Sequence, residues 1–370
     1  MQDHRSLPTA ADMARCAEQL ARQPLPEIAS WRRVSIDSAQ APWLDSGLAL
    51  AAGQQMSWFT CGATHLKAMP SISVPARFQL WARVGGGEVL RGTRGTHSLR
   101  AARSGTVELG SYFPGEWTSR HGDNAMPAEA YGLVEGNIEV LLIVWAAGID
   151  AARGLAALAG GDASGLAALE QQRLAETPVT PPGWDYLWFL GPAETFSPHD
   201  EGGEHCIDCA TRADAAILHH DAELPLLPDT RLRWRWRVDA LPSTLAEDTL
   251  PTHDYLSIAV EFDNGLDLTY MWSVSLPVGT VFRCPLPNWD QRETHAVVRS
   301  GTRELGEWLA EERDVHADYQ TMIAPTVTAP APTRVLRVWL IAVSLFQKGE
   351  GACRFAAISL RNSGGTIDIP

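Results

Sequence analysis

Between Arg231 and Val238, four arginines at 231, 233, 235 and 237 alternate strictly with Leu232, Trp234, Trp236 and Val238. Side chains on a strand point to opposite faces in turn, so this stretch predicts a β-strand with one indole-rich face and one guanidinium face. Ser257 to Phe262 repeats the alternation, and Asp263-Asn264-Gly265 supplies residues that tolerate positive φ in a tight turn. Leu266 to Ser273 then returns as the hairpin partner. The same texture predicts strands at 214–219, 294–299, 334–343 and 352–360, with a helix over Trp308 to His316.

Upstream, Thr9 and Asp12 form a capping-box-like start, and Met13, Cys16, Ala17 and Leu20 fall on one helical face before Pro24 and Pro26. From about Leu48 short strands take over, at Phe78–Val84, Thr106–Leu109 and Asn137–Trp145, separated by glycine-rich turns. Asp150 and Asp162 are placed to cap short helices at 151–159 and 163–175, and a proline-rich stretch follows from Thr177 to Gly183. The expected architecture is all-β. Two β-sandwich or jelly-roll domains, 48–149 and 184–370, follow a lead-in at 1–47 and are joined by a short helical, proline-rich linker at 150–183.

A chain of 370 residues exceeds one typical core, which supports two domains. The net charge of −14 argues against nucleic acid and anionic membranes as partners, because both need a basic footprint. No apolar run approaches the roughly 20 residues of a membrane span, and the residues before Arg22 do not read as a secretory leader. A cytoplasmic protein with a small-molecule ligand is expected, and a homo-oligomer is compatible with the sequence. The six cysteines are few and scattered, as for reduced buried thiols. Cys206-x-x-Cys209 beside His205 offers one edge of a zinc tetrahedron but lacks the second pair, so no metal is expected there. No nucleophile elbow and no dinucleotide fingerprint occurs, so no cofactor is expected either.

Two resemblances emerge. Leu80-Trp81-Ala82-Arg83-Val84-Gly85, followed by Gly105-Thr106-Val107-Glu108-Leu109-Gly110, resembles the galactose-binding-like jelly roll of bacterial galactophilic lectins over residues 48–149. That branch typically continues with an Asn-Asp pair that holds calcium and sugar. Here Ser111 to Trp117 stands in its place, so the resemblance implies the fold without the calcium site. The ordered segments Leu232–Asp239, Asp254–Phe262, Leu268–Ser273, Pro277–Thr280, Val297–Gly301, Glu312–Val315 and Asp318-Tyr319 resemble a bacterial family of unknown function, DUF3047, over about 184–362. It implies a β-sandwich and no particular chemistry.

The arginine face invites an anion, but an outer sheet face paired across strands with acids such as Glu261 and Asp267 explains it more simply. The fourteen tryptophans exceed what a core needs, which makes an aromatic-walled pocket in the second domain the expected site. Its expected border is His253, Asp254, Tyr270, Trp272, Arg299 and Tyr319. Asp254 would act as base or ligand acceptor, His253 as its proton partner and Tyr319 as a third acid–base group. Tyr270 and Trp272 would bind the ligand, with Arg299 as electrostatic anchor. The leading expectation is recognition of a small neutral hydroxylated or partly apolar molecule. The alternatives are a cofactor-independent lyase, hydratase or glycoside hydrolase, and a structural adaptor.

Overall fold

The computed structural model describes residues 7–370 apart from 41–42, 114, 125 and 177. Residues 1–6 of the expected lead-in, Pro114 in the segment that replaces the calcium site, and Thr177 at the head of the proline-rich stretch lie outside the described residues. Strand makes up 47% and helix 16%, so the fold is all-β, as expected. The chain divides into two compact units, Met1–Thr177 and Pro178–Pro370.

In the first unit, one sheet orders its strands as Ile28–Asp37, Val134–Trp145, Gln55–Leu66 and Met69–Pro75, with Thr96–Arg100 also paired to Gln55–Leu66. The other orders Trp43–Leu50, Gly105–Ser111 and Leu80–Val84. Ile138, Val140, Leu142 and Val144 face Leu80, Ala82, Val107 and Leu109 in the core between them. Leu141, Ile143 and Trp145 point the other way, under helices Ala10–Arg22, Ala151–Ala159 and Leu166–Ala175. The central strand is thus apolar on both faces because both are covered. The first helix carries the expected capping box between Thr9 and Asp12.

Two local expectations are corrected here. The last helix starts at Leu166 rather than 163, because the Asp162 carboxylate accepts from the backbone N–H groups of Ser164 and Ala167 and holds a turn ahead of it. The strand expected from Phe78 starts only at Leu80, after a helical turn at Ala76–Gln79. Buried Gln79 settles that turn. Its amide donates to Thr64 Oγ1 at 2.8 Å and to the Phe113 carbonyl at 3.1 Å, and accepts from the Phe113 N–H at 2.6 Å. A fully buried amide needs those partners, and the turn aims it at them.

His97 in this unit packs against Trp58 with ring centroids 4.6 Å apart, and burial, with a lesser effect of Arg173, pushes its pKa down to about 3. Unfolding returns it to about 6.5, so the unfolded chain binds more protons between those values and stability falls as pH drops through that window. Acidification from pH 7 to pH 4 is expected to cost about 3 kcal/mol through this ring. Urea denaturation of the His97→Gln variant should show a correspondingly smaller acid loss than the unaltered chain; an equal loss would refute the assignment.

In the second unit, a six-stranded sheet runs Phe196–Glu201, Glu204–Arg212, Glu350–Asn362, Arg231–Ala240 and Leu309–Asp314, with Gly365–Ile369 also paired to Glu350–Asn362. A seven-stranded sheet runs Val281–Arg283, Glu293–Ser300, Asp267–Ser273, Tyr255–Phe262, Arg334–Val343, Ala215–Pro225 and Asp185–Tyr186. The inner faces meet in one core, where Trp234 stacks on Tyr270 at 5.7 Å and Trp236 lies 5.5 Å from Trp272. The predicted register of the arginine strand therefore holds.

The segment expected as a helix at 308–316 is instead a strand, Leu309–Asp314, ending in a helical turn at Val315–Asp318. Its residues are good helix formers, but the arginine ladder overrides that preference. Arg231 pairs with Asp314, Arg233 with Glu312, Arg235 with Glu204 and Arg237 with Asp239. Acids from other strands of the sheet, with Asp239 from the same strand, thus cover the guanidinium face, as the simpler reading held, but they are not the acids first expected. Glu261 pairs with Arg337 on the other sheet, and Asp267 is buried there.

Strands Asp267–Ser273 and Glu293–Ser300 are parallel neighbours. A parallel pair requires a crossover connection. Residues 274–292 supply it: Val281–Arg283 pairs as the sheet's edge strand, with Phe282 stacked on His295, and Trp289 further along meets Trp339 on the outer face.

Candidate functional site

The outer face of the seven-stranded sheet is as buried as a core, yet it is polar. Cross-strand register places Phe282, His295, Thr269, Ala259, Trp339 and His219 side by side in one row. Tyr255 and Ser257 share that face, four and two positions before Ala259, and Glu293 lies two before His295. Several buried polar atoms here lack a hydrogen-bond partner: Ser257 Oγ, Trp339 Nε1, His219 Nδ1 and both ring nitrogens of His295. Buried polar atoms are nearly always paired, so a row of them on one covered face marks something other than packing.

At one end of the row, His253, Cys284, Glu293 and His295 converge, each at most 1% exposed. One donor atom from each lies within 4.8 Å of the others. The turn before Tyr255 delivers His253, the crossover delivers Cys284, and Glu293 and His295 come from alternate positions of one strand, hence from one face. His253 Nδ1 lies 2.8 Å from the Glu247 carbonyl, and its Nε2 is 3.4 Å from Cys284 Sγ. Glu293 Oε2 is 3.4 Å from His295 Nε2, and its Oε1 accepts from Tyr255 Oη at 3.2 Å and Thr269 Oγ1 at 3.1 Å. Burial drives the His253 pKa down to about 3 and the Cys284 thiol well up. Burial also opposes charge on Glu293, but the His295 and His253 rings outweigh it and hold that carboxyl low. Among the described residues, this is the one group of three or more His, Cys, Asp or Glu side chains placed to hold a metal ion.

At the other end, the half-buried Phe189 and Trp289 rings approach solvent beside buried Trp339. Trp289 lies 6.5 Å from Trp339 and 6.2 Å from Phe189, and the Arg292 guanidinium sits 3.8 Å over the Trp289 ring. None of the three rings belongs to the core between the sheets.

The six residues expected to border one pocket do not meet. Tyr270 and Trp272 are committed to the inter-sheet core; Tyr270 Oη donates to Asp318 at 3.0 Å and Trp272 Nε1 to the Gly301 carbonyl at 2.9 Å. Tyr319 packs 5.0 Å from Phe262, at the far end of the strand from His253 and Asp254. Seven residues of strand separate those ends by about 23 Å. Arg299 bonds Glu311 at 2.6 Å and Glu304 at 3.2 Å, tying the edges of the two sheets together. Asp254 accepts from the backbone N–H groups of Phe346 and Gln347, at 3.0 and 2.7 Å, and burial raises its pKa. His253 turns away from it, toward Cys284. The alternation that made Tyr270 and Trp272 conspicuous is the mark of the inner face, and the outer face holds the unpaired groups. Sequence reasoning missed Cys284, Glu293 and His295. The Glu-x-His spacing on a strand, which puts both on one face, was the available signal.

Cys206 and Cys209 stand three apart on one strand and so face opposite sides; Cys209 joins the core with Cys353. A recess of about 410 Å³ lies elsewhere, lined by Glu204, Ile207, Phe355, Ala357 and Asp368 among others. No helix among the described residues is long and apolar enough to cross a membrane.

No curated protein matches the chain. Among solved structures it is similar to the EclA N-terminal domain, a PllA-like lectin, at 16% identity over 30% of this chain and 94% of that one (TM-score 0.24). It is also similar to the xyloglucanase domain of NopAA, a type three effector from Sinorhizobium fredii, in complex with cellobiose, at 10% identity over 50% and 95% (TM-score 0.32). A third likeness is to CBM29-2, a family 29 carbohydrate binding module, at 11% identity over 50% and 86% (TM-score 0.24). Residues 182–359, just under half of the chain, match the model of the family described as protein of unknown function (DUF3047).

Proposed function

We propose that the second unit recognises a small neutral hydroxylated molecule on the outer face of its seven-stranded sheet, at the end formed by Phe189, Trp289 and Trp339. One observation carries this reading: unpaired polar atoms of Ser257, Trp339 and His219 share a face with aromatic rings that reach solvent. A hydroxylated ring offers C–H surface to the half-buried Phe189 and Trp289 faces, and hydroxyl groups of the kind that the unpaired atoms of that face lack. Arg292, stacked over Trp289, holds that indole in place through its guanidinium face. The aromatic recognition surface expected from the composition thus moves from the core-facing rings to the outward ones.

Calorimetric titration of the whole chain with a panel of neutral mono- and oligosaccharides tests this. At least one is expected to bind, and Trp289→Ala should weaken it by about tenfold or more, the loss of one stacked ring at about 1.4 kcal/mol. Unchanged affinity in a folded Trp289→Ala protein, or no binding by any member, would refute the site.

A further inference from the structure

We infer that His253, Cys284, Glu293 and His295 form a buried site for one divalent transition-metal ion of the zinc class. The donor set is two imidazole nitrogens, one sulfur and one carboxylate oxygen, the mixture that borderline-soft ions of this class prefer. A tetrahedral ion with bonds of about 2.0–2.3 Å needs neighbouring donors about 3.3–3.7 Å apart. The two measured edges, His253 Nε2 to Cys284 Sγ and His295 Nε2 to Glu293 Oε2, are both 3.4 Å.

The surrounding hydrogen bonds point the same way. Metal-bound histidines usually give their other N–H to a carbonyl or carboxylate, and His253 Nδ1 sits 2.8 Å from the Glu247 carbonyl. That bond leaves the lone pair on Nε2, the atom that faces the cluster. Glu293 is held the same way: Tyr255 and Thr269 donate to Oε1, and Oε2 is left toward His295.

A purely structural hydrogen-bonded cluster is the competing account, and it explains the 3.4 Å contact of Cys284 with His253. It leaves both nitrogens of fully buried His295 without a proper partner. An ion supplies one. It also balances charge: binding releases the Cys284 proton to solvent, and thiolate plus carboxylate then offset the two positive charges, so no net charge is buried.

All four donors are protein side chains and none is exposed, which describes a closed, structural site rather than one with an open catalytic position. The ion would pin the crossover at Cys284 to the sheet at Glu293 and His295. These two anchor points bracket residues 285–292, so they fix the loop that carries Trp289 and Arg292. The metal site does not depend on the ligand proposed above, and its test does not use that ligand.

The experiment uses the whole chain, loaded with zinc, freed of excess by gel filtration and analysed for metal, with a parallel cobalt(II) preparation examined by absorption. About one ion per chain is expected, with intense tetrahedral cobalt bands and a thiolate-to-cobalt charge-transfer band. Cys284→Ser should abolish the charge-transfer band, while Cys209→Ser, a core cysteine of the same unit, should keep it. Failure of the unaltered protein to retain zinc, or a cobalt spectrum no different from the aqueous ion, would overturn the inference without any variant. So would a charge-transfer band that survives Cys284→Ser. Should Cys284→Ser not fold, His295→Gln decides instead: retention of a full equivalent of zinc in that variant overturns the site, and loss supports it.

Discussion

Replacing Trp234 or Trp236 by alanine is expected to destabilise the second unit by about 3–5 kcal/mol, the usual cost of removing a large aromatic from a packed core. Both rings are at most 1% exposed, and they touch each other edge to face at 5.7 Å. Trp234 stacks on Tyr270 and Trp236 meets Trp272 and Phe355, so each truncation opens a void between the two sheets that neither backbone can close. Trp236 also donates from Nε1 to Glu311 at 3.3 Å, a bond that alanine deletes. Because the two rings touch, the double variant should lose less than the sum of the singles. Urea denaturation monitored on the transition of the second unit gives the values. A loss below about 1 kcal/mol for both singles would mean that the inner face relaxes far more than packed cores do.

Asp254 carries the second large effect. Its carboxylate takes two backbone N–H groups from the turn at 346–347, and it is fully buried. Asp254→Ala strands both donors and should cost about 3 kcal/mol, in line with hydrogen bonds to a charged acceptor. Asp254→Asn keeps the shape but presents an NH₂ group to one of the two donors, and should cost roughly half as much. Thermal and urea unfolding of the two variants measure this. The expected base would show the opposite pattern: near-normal stability for Asp254→Asn together with loss of ligand binding or turnover. Seeing that pattern would restore Asp254 to the chemistry and displace the turn-holding role argued from its partners.

These two residues show what the sequence made legible. Strict alternation around Trp234 set both strand and register, because a shift by one residue would have turned four arginines into the core. The helix expected at 308–316 shows the limit. Glu311, Glu312 and Arg313 favour a helix locally, and only the arginines some 75–80 positions upstream, across the sheet, make them a strand. The site was harder still. His253, Cys284 and the Glu293–His295 pair are brought together by a parallel strand pairing and its crossover, and neither leaves a periodic trace in the chain. Aromatic richness could not say which side of a sheet each ring serves, and Tyr270 and Trp272 serve the inner one.

The parallel placement of Asp267–Ser273 beside Glu293–Ser300 has an architectural consequence. A hairpin there would have closed in a few residues and left the outer face bare. The crossover spends 19 residues instead, 274–292: Val281–Arg283 extends the sheet as its edge strand, and the residues after it bring Cys284 against His253 and Trp289 against Trp339 on the outer face. The segment 285–292, between Cys284 and Glu293, can change in length or sequence while the strand pairings on either side of it keep their register. The packed core and the proposed recognition surface would then lie on opposite sides of one sheet, each free to drift while the other stays put.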